Sequence, residues 1–140
     1  MPELPEVETV ARSIAPHIRG RRILSAEFPC LRVLIGDPDE MAAALAGKKI
    51  LGVRRHGKFL LILLQGGGHL IVHLGMTGRL LFNAERGRHT HAVITLDRGV
   101  LIYDDPRQFG KLQVCDALPA RVARLGPEPL EIGFEDFAAA

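Results

Sequence analysis

Apolar residues at Val7, Val10, Ile14 and Ile18 recur at the spacing of one helix face. Pro2 and Pro5 stand in or before the first turn of that helix, where a missing N–H is harmless. Glu3, Glu6 and Glu8 put negative charge at the end the helix dipole favours. Pro16 is expected to kink or end the helix, and Gly20 to close it. Residues 22–35 read as one or two strands interrupted at Pro29. Asp37-Pro38-Asp39-Glu40 carries the signature of a second helix start, an N-cap followed by Pro and acids. That helix continues through Met41 to Ala46 and stops at Gly47.

From Lys48 the periodicity becomes that of strands. The expected strands are Ile50–Arg55, Phe59–Leu64, Leu70–Leu74, Arg79–Phe82, His91–Asp97, Val100–Tyr103 and Lys111–Cys115. Gly66-Gly67-Gly68 and Asp97-Arg98-Gly99 read as hairpin turns. The fold class that follows is α+β and mostly β: an antiparallel β-sandwich or flattened barrel of about seven or eight strands with two flanking helices. Leu125-Gly126-Pro127-Glu128-Pro129-Leu130 reads as an extended linker, and Glu131 to Ala140 as the start of something amphipathic. The expected division is a domain over 1–125 and, over 126–140, a linker leading into a second, cut-off domain.

Charge sharpens this picture. There are 18 Lys/Arg against 16 Asp/Glu, and the acids Glu128, Glu131, Glu135 and Asp136 all lie beyond residue 125. The first 125 residues therefore hold 18 basic and 12 acidic groups, and residues 48–58 alone hold five Lys/Arg and no acid. A basic body suits a polyanion, although a basic run by itself is more often a solvated face. No apolar run approaches the ~20 residues of a membrane span. Met1-Pro2-Glu3 lacks the basic start of a secretory signal, so the cytoplasm is expected. Cys30 and Cys115 are isolated, which excludes a disulfide scaffold or a four-Cys metal site here. His89-Thr90-His91 could place two imidazoles on one strand face without a third ligand, so an exposed or phosphate-facing pair is expected. Gly66–Gly68 lacks a following Lys and is a turn rather than a phosphate loop.

Pro2 is the sharpest chemical feature. Removal of the initiator Met would free a secondary amine that is partly neutral near pH 7. Attack on an aldehyde-level carbon would give a cationic iminium suited to elimination chemistry, with Glu3 within reach for proton transfer. Taken alone, Pro-Glu is simply a good helix start.

The opening Met1-Pro2-Glu3-Leu4-Pro5-Glu6-Val7-Glu8-Thr9 resembles that of the formamidopyrimidine-DNA glycosylases, bacterial base-excision repair enzymes. So do Arg55-His56-Gly57-Lys58-Phe59-Leu60-Leu61, His73-Leu74-Gly75-Met76-Thr77-Gly78, Asp105-Pro106-Arg107-Gln108-Phe109-Gly110 and Leu125-Gly126-Pro127-Glu128-Pro129-Leu130, in the family's order. The resemblance implies a bifunctional glycosylase/AP lyase that removes oxidised purines such as 8-oxoguanine and formamidopyrimidines. Pro2 would attack C1′ and the Schiff base would undergo β,δ-elimination. Glu3 would handle protons, Lys58 would reach the DNA backbone at the lesion, and Glu6 could reach the same site one turn on. His73 and His91 match DNA-contacting histidines. Met76, Arg107 and Phe109 match the residues that fill the hole left by a flipped base.

Two positions depart from the pattern: Gln108 stands where an arginine is frequent, and His56 where another basic residue is common. The resemblance also implies a second domain with a helix-two-turn-helix and a zinc finger. No cofactor is therefore expected in this chain, with zinc confined to that domain. The expected partner is damaged double-stranded DNA, bound by a monomer, with no membrane. Two alternatives stand beside this reading. One is an endonuclease VIII-like enzyme for oxidised pyrimidines, which Leu4 and Val7 disfavour. The other is a non-catalytic damaged-DNA-binding module, if Met1 is retained and the Pro2 nitrogen is an amide.

Overall fold

A computed structural model of the chain describes residues 4–115 and 130–132, with side chains over 7–115. Helix α1 (Leu4–Ile18) leads into strand β1 (Ile23–Glu27), a 3-10 turn (Leu31–Val33) and helix α2 (Pro38–Leu45). Strands β2 (Ile50–His56), β3 (Phe59–Leu64), β4 (His69–His73), β5 (Arg79–Phe82), β6 (Thr90–Leu96), β7 (Val100–Asp104), β8 (Lys111–Cys115) and β9 (Leu130–Ile132) follow. They form two antiparallel sheets, ordered β1-β6-β7-β5 and β8-β4-β3-β2-β9. Among the described residues the expected α+β sandwich with two helices is what forms.

The core is aliphatic, as a chain with one Tyr and no Trp requires. Val7, Ala11, Ile14 and Ile18 of α1 are buried in one cluster with Leu60, Ile62, Leu70, Val72 and Leu101. Each such Leu or Ile contributes about 1.5–3 kcal/mol by leaving water. Helix α2 starts as its residues dictate: Asp37 accepts the Glu40 N–H at 2.9 Å and Pro38 occupies the first position. Met41 and Leu45 turn inward. The two-residue β2–β3 hairpin turns at Gly57-Lys58, and Gly57 supplies the positive φ of +62° that a primed turn needs there.

Two local expectations are narrowed and one is revised. Pro16 does not end α1, which runs on to Ile18 because Ile18 is fully buried in the core. Of the one or two strands expected over residues 22–35, one forms: β1 ends before Pro29, and a 3-10 turn follows. Leu130–Ile132 is a strand, pairing with Val53 to Arg55 at the edge of the five-stranded sheet. Residues 125–129 and 133–140, which carry the rest of the linker and amphipathic readings, lie outside the described residues. No helix among the described residues is long and apolar enough to cross a membrane.

The chain passes from the five-stranded to the four-stranded sheet between β4 and β5, and returns between β7 and β8. Because β4 pairs with β8 and β5 with β7, these two crossings run side by side at one end of the sandwich.

Candidate functional site

The paired crossings are residues 74–78 and 105–110, two of the glycine-flanked segments singled out in the sequence. They touch backbone to backbone. A Cβ on Gly75 would lie 2.6 Å from the Gly110 nitrogen, and one on Gly110 would lie 2.6 Å from the His73 carbonyl and closer still to the Tyr103 hydroxyl. Side chains at these two positions are sterically excluded, so only glycine lets the loops meet.

Asp105 sits at the junction with no exposed surface. Its Oδ1 accepts from the Thr77 hydroxyl at 2.6 Å and the Arg107 N–H at 3.2 Å. Its Oδ2 accepts from the Tyr103 hydroxyl at 2.8 Å and the Gly110 N–H at 2.9 Å. Burial pushes the carboxyl pKa up, but the bonds from Thr77, Gly110, Tyr103 and Arg107 outweigh it and hold Asp105 below its usual value. Burial, together with the adjacent carboxylate, drives the Tyr103 hydroxyl pKa upward, so it stays a donor.

This buried support carries exposed apolar groups. Met76 is 51% exposed and Phe109 is 54% exposed, and both are outward-facing on their loops. The Arg107 guanidinium lies over the Phe109 ring, 5.0 Å from its centroid. Gln108 between them adopts a φ of +59°, rare for a residue with a side chain, and its N–H reaches back to the Asp105 carbonyl at 3.3 Å. Neither Met76 nor Phe109 is part of the core, where apolar side chains of this size are usually found.

Lys58 is exposed on the β2–β3 turn at the same end of the sandwich. Arg55, buried beneath it, donates to the Gly57 carbonyl at 2.8 Å and faces Glu8 of α1 at 4.0 Å. Glu8 also pairs with Arg12 at 3.0 Å. These contacts join the early turns of α1 to the turn that presents Lys58. Pro2 and Glu3 lie outside the described residues, as does the side chain of Glu6. His73, at the end of β4, is half-buried; its Nδ1 accepts the Gly75 N–H at 3.2 Å and its ring lies 5.1 Å from that of Phe59.

The expectation of an exposed histidine pair at residues 89 and 91 is corrected. His91 is buried and donates from Nε2 to the Asp105 carbonyl at 2.7 Å. A register shift between Thr90 and Ala92 places an extra residue there, which breaks the alternation assumed for the strand. His89 is half-buried, and its carbonyl accepts the Asp105 N–H at 2.9 Å. Among the described residues no group of three or more His, Cys, Asp or Glu is arranged to hold a metal ion.

Sequence reasoning assigned no role to Asp105, Thr77, Tyr103 or Arg55. The signal available was an Asp-Pro pair opening a loop that closes on Gly110, a turn mark that says nothing of burial.

Comparison with known proteins agrees with this architecture. The family model for the formamidopyrimidine-DNA glycosylase N-terminal domain matches residues 1–112. The formamidopyrimidine-DNA glycosylase of Solibacter usitatus is 63% identical over 140 residues, covering 99% of this chain and 53% of that protein. The enzyme of that name from Chloroflexus aurantiacus is 44% identical over 147 residues, covering 100% of this chain and 53% of its own length. Among solved structures, the Lactococcus lactis Fpg in complex with abasic-site DNA aligns with a TM-score of 0.77 at 36% identity, covering 81% of this chain and 44% of that one. The chain belongs to the formamidopyrimidine-DNA glycosylase family, and corresponds to its N-terminal domain. It spans about half the length of the relatives it matches.

Proposed function

We propose that this chain is the catalytic half of a DNA glycosylase/AP lyase that excises oxidised purines from duplex DNA in the bacterial cytoplasm. The observation that carries the reading is the pair of interlocked loops, which hold Met76, Arg107 and Phe109 outward on a buried carboxylate. A flipped nucleotide leaves an unstacked gap and an orphaned partner base. A flexible Met can fill that gap, a Phe can wedge between base steps, and Arg107 can donate to the partner's acceptor edge. Lys58 can neutralise a backbone phosphate at the lesion.

The chemistry uses the chain's own groups and no cofactor. The Pro2 amine, freed by loss of Met1, attacks C1′ while the glycosidic C–N bond breaks and the base leaves with a proton. Opening of the sugar ring, assisted by a proton from Glu3, gives an iminium between Pro2 and C1′. Loss of a C2′ proton then expels the 3′ phosphate, and a second elimination expels the 5′ phosphate. Glu6, three residues on from Glu3 in the sequence, is a second candidate for proton transfer. His73 and His91 lie behind the loops, and we assign them to holding the DNA-facing surface rather than forming its outermost layer.

Borohydride reduction of the Met-free chain with an abasic-site duplex tests this reading. A covalent adduct mapped to Pro2, and its loss in Pro2→Gly, is the expected result. No adduct from a chain whose N-terminus is confirmed as Pro2, or an equal adduct in Pro2→Gly, would remove the nucleophile assignment from this chain.

A further inference from the structure

We infer that Asp105 is a positioning residue that makes the Met76 loop and the Arg107–Phe109 loop a single mechanical unit, with Thr77 as the link between them. The inference rests on the proposed DNA reading only for its consequence, not for its geometry. The carboxylate divides its bonds in a telling way. Oδ1 joins Thr77 of one loop to the Arg107 amide of the other, while Oδ2 joins the Gly110 amide to Tyr103 beneath. A carboxylate offers about four acceptor positions, and four donors use them. From the third side, the His91 ring of β6 and the carbonyl of His89, just before that strand, fix the Asp105 backbone.

The exclusion of solvent makes these bonds hard to replace. Asp105 is fully buried, so water cannot take the place of a lost donor without opening the junction. An amide at this position would turn an NH₂ toward one hydroxyl, which must reverse to accept, and one backbone N–H, leaving donor facing donor there. The glycine contacts add a second constraint: Gly75 and Gly110 already touch, so one loop cannot shift without displacing the other. The consequence is that gap filling by Met76 and base reading by Arg107 are coupled. A change confined to the Met76 loop should alter what Arg107 distinguishes.

Thr77→Val is the surgical test, since it removes the cross-loop bond and leaves the other three on Asp105. Thr77→Ser keeps the hydroxyl and serves as the rescue. In the DNA-free chain, amide hydrogen exchange at Arg107 and Gly110 should be about tenfold faster in Thr77→Val and return toward wild type in Thr77→Ser. Asp105→Asn should accelerate both loops further. Unchanged exchange at residues 107–110 in Thr77→Val, with the 74–78 loop alone loosened, would overturn the coupling. With a duplex carrying an abasic-site analogue, Thr77→Val should also narrow the affinity ratio between cytosine and adenine opposite the site by several-fold, and Thr77→Ser should restore it. A uniform loss of affinity with an unchanged ratio would likewise overturn it. Should no version of the chain bind DNA, the DNA reading fails, while the exchange data still decide the coupling.

Discussion

Glu8 Oε1 lies 4.0 Å from Arg55 Nε, and the same guanidinium donates through Nη1 to the Gly57 carbonyl at 2.8 Å. Arg55 thus ties helix α1 to the turn that carries Lys58, two elements far apart in sequence. With its side chain 9% exposed, it is placed to act as a strut. Arg55→Ala is expected to cost about 1–3 kcal/mol, mainly by stranding the Gly57 carbonyl and removing packing around the turn. Denaturant unfolding measures this, and a stability equal to wild type would show that the strut carries no load. Trapping at Pro2 should slow as well, because the start of α1 would lose its tie to Lys58.

Lys58→Ala should leave folding intact, since the side chain is exposed on a turn. It should reduce the slope of log K against log salt by about one unit for DNA binding. A slope identical to wild type would leave Lys58 as solvated surface.

Arg107→Ala should weaken discrimination between bases opposite the lesion by roughly 1–3 kcal/mol, the value of a good bidentate base contact. Its guanidinium is exposed over the Phe109 ring, so little folding stability should be lost. Measuring affinity with each of the four bases opposite an abasic analogue checks this. An equal loss with all four would identify a phosphate contact instead.

Gly110→Ala forces a methyl into the Tyr103 hydroxyl and the His73 carbonyl. A destabilisation of about 2–4 kcal/mol is expected from this overpacking. Tyr103→Phe removes the obstructing oxygen, so the double variant should lose less than the two single changes summed. Strict additivity in thermal unfolding would show that the clash is relieved elsewhere.

His69 on β4 is held below its usual pKa of 6.5, first by burial and then by the nearby Arg54 charge. The unfolded chain therefore takes up a proton at a higher pH than the folded one. The stability linked to His69 is full above pH 6.5 and declines as pH falls through the lowered folded value. Unfolding between pH 7.5 and 5.5 should show a steeper loss in wild type than in His69→Gln. Parallel curves would discount His69 as a source of acid sensitivity.

Much of the fold was legible because it is written locally. The period-3.6 pattern through Ile18, the Asp37-Pro38 helix start and the Asp97-Arg98-Gly99 hairpin turn each depend on neighbours within a few residues. The exposure of Met76 and Phe109 runs against their hydrophobicity, which by itself would place them in the core. Of the kink or end expected at Pro16, the end does not occur, because the burial of Ile18 outweighs a local helix breaker. His91 misled because a bulge, which depends on the partner strand, shifts which residues face inward.

The sequence by itself determined the two helices, strands β2 to β8 and the basic balance of the first 125 residues. Tertiary structure alone decided that residues 74–78 and 105–110 meet. That meeting follows from strand order: β4 beside β8 and β5 beside β7 bring two crossings together across nearly thirty residues of chain. It also decided the role of Asp105. A carboxylate becomes an organising centre only when donors from Thr77, Tyr103, Arg107 and Gly110 converge on it and solvent is excluded, and no local pattern encodes that convergence.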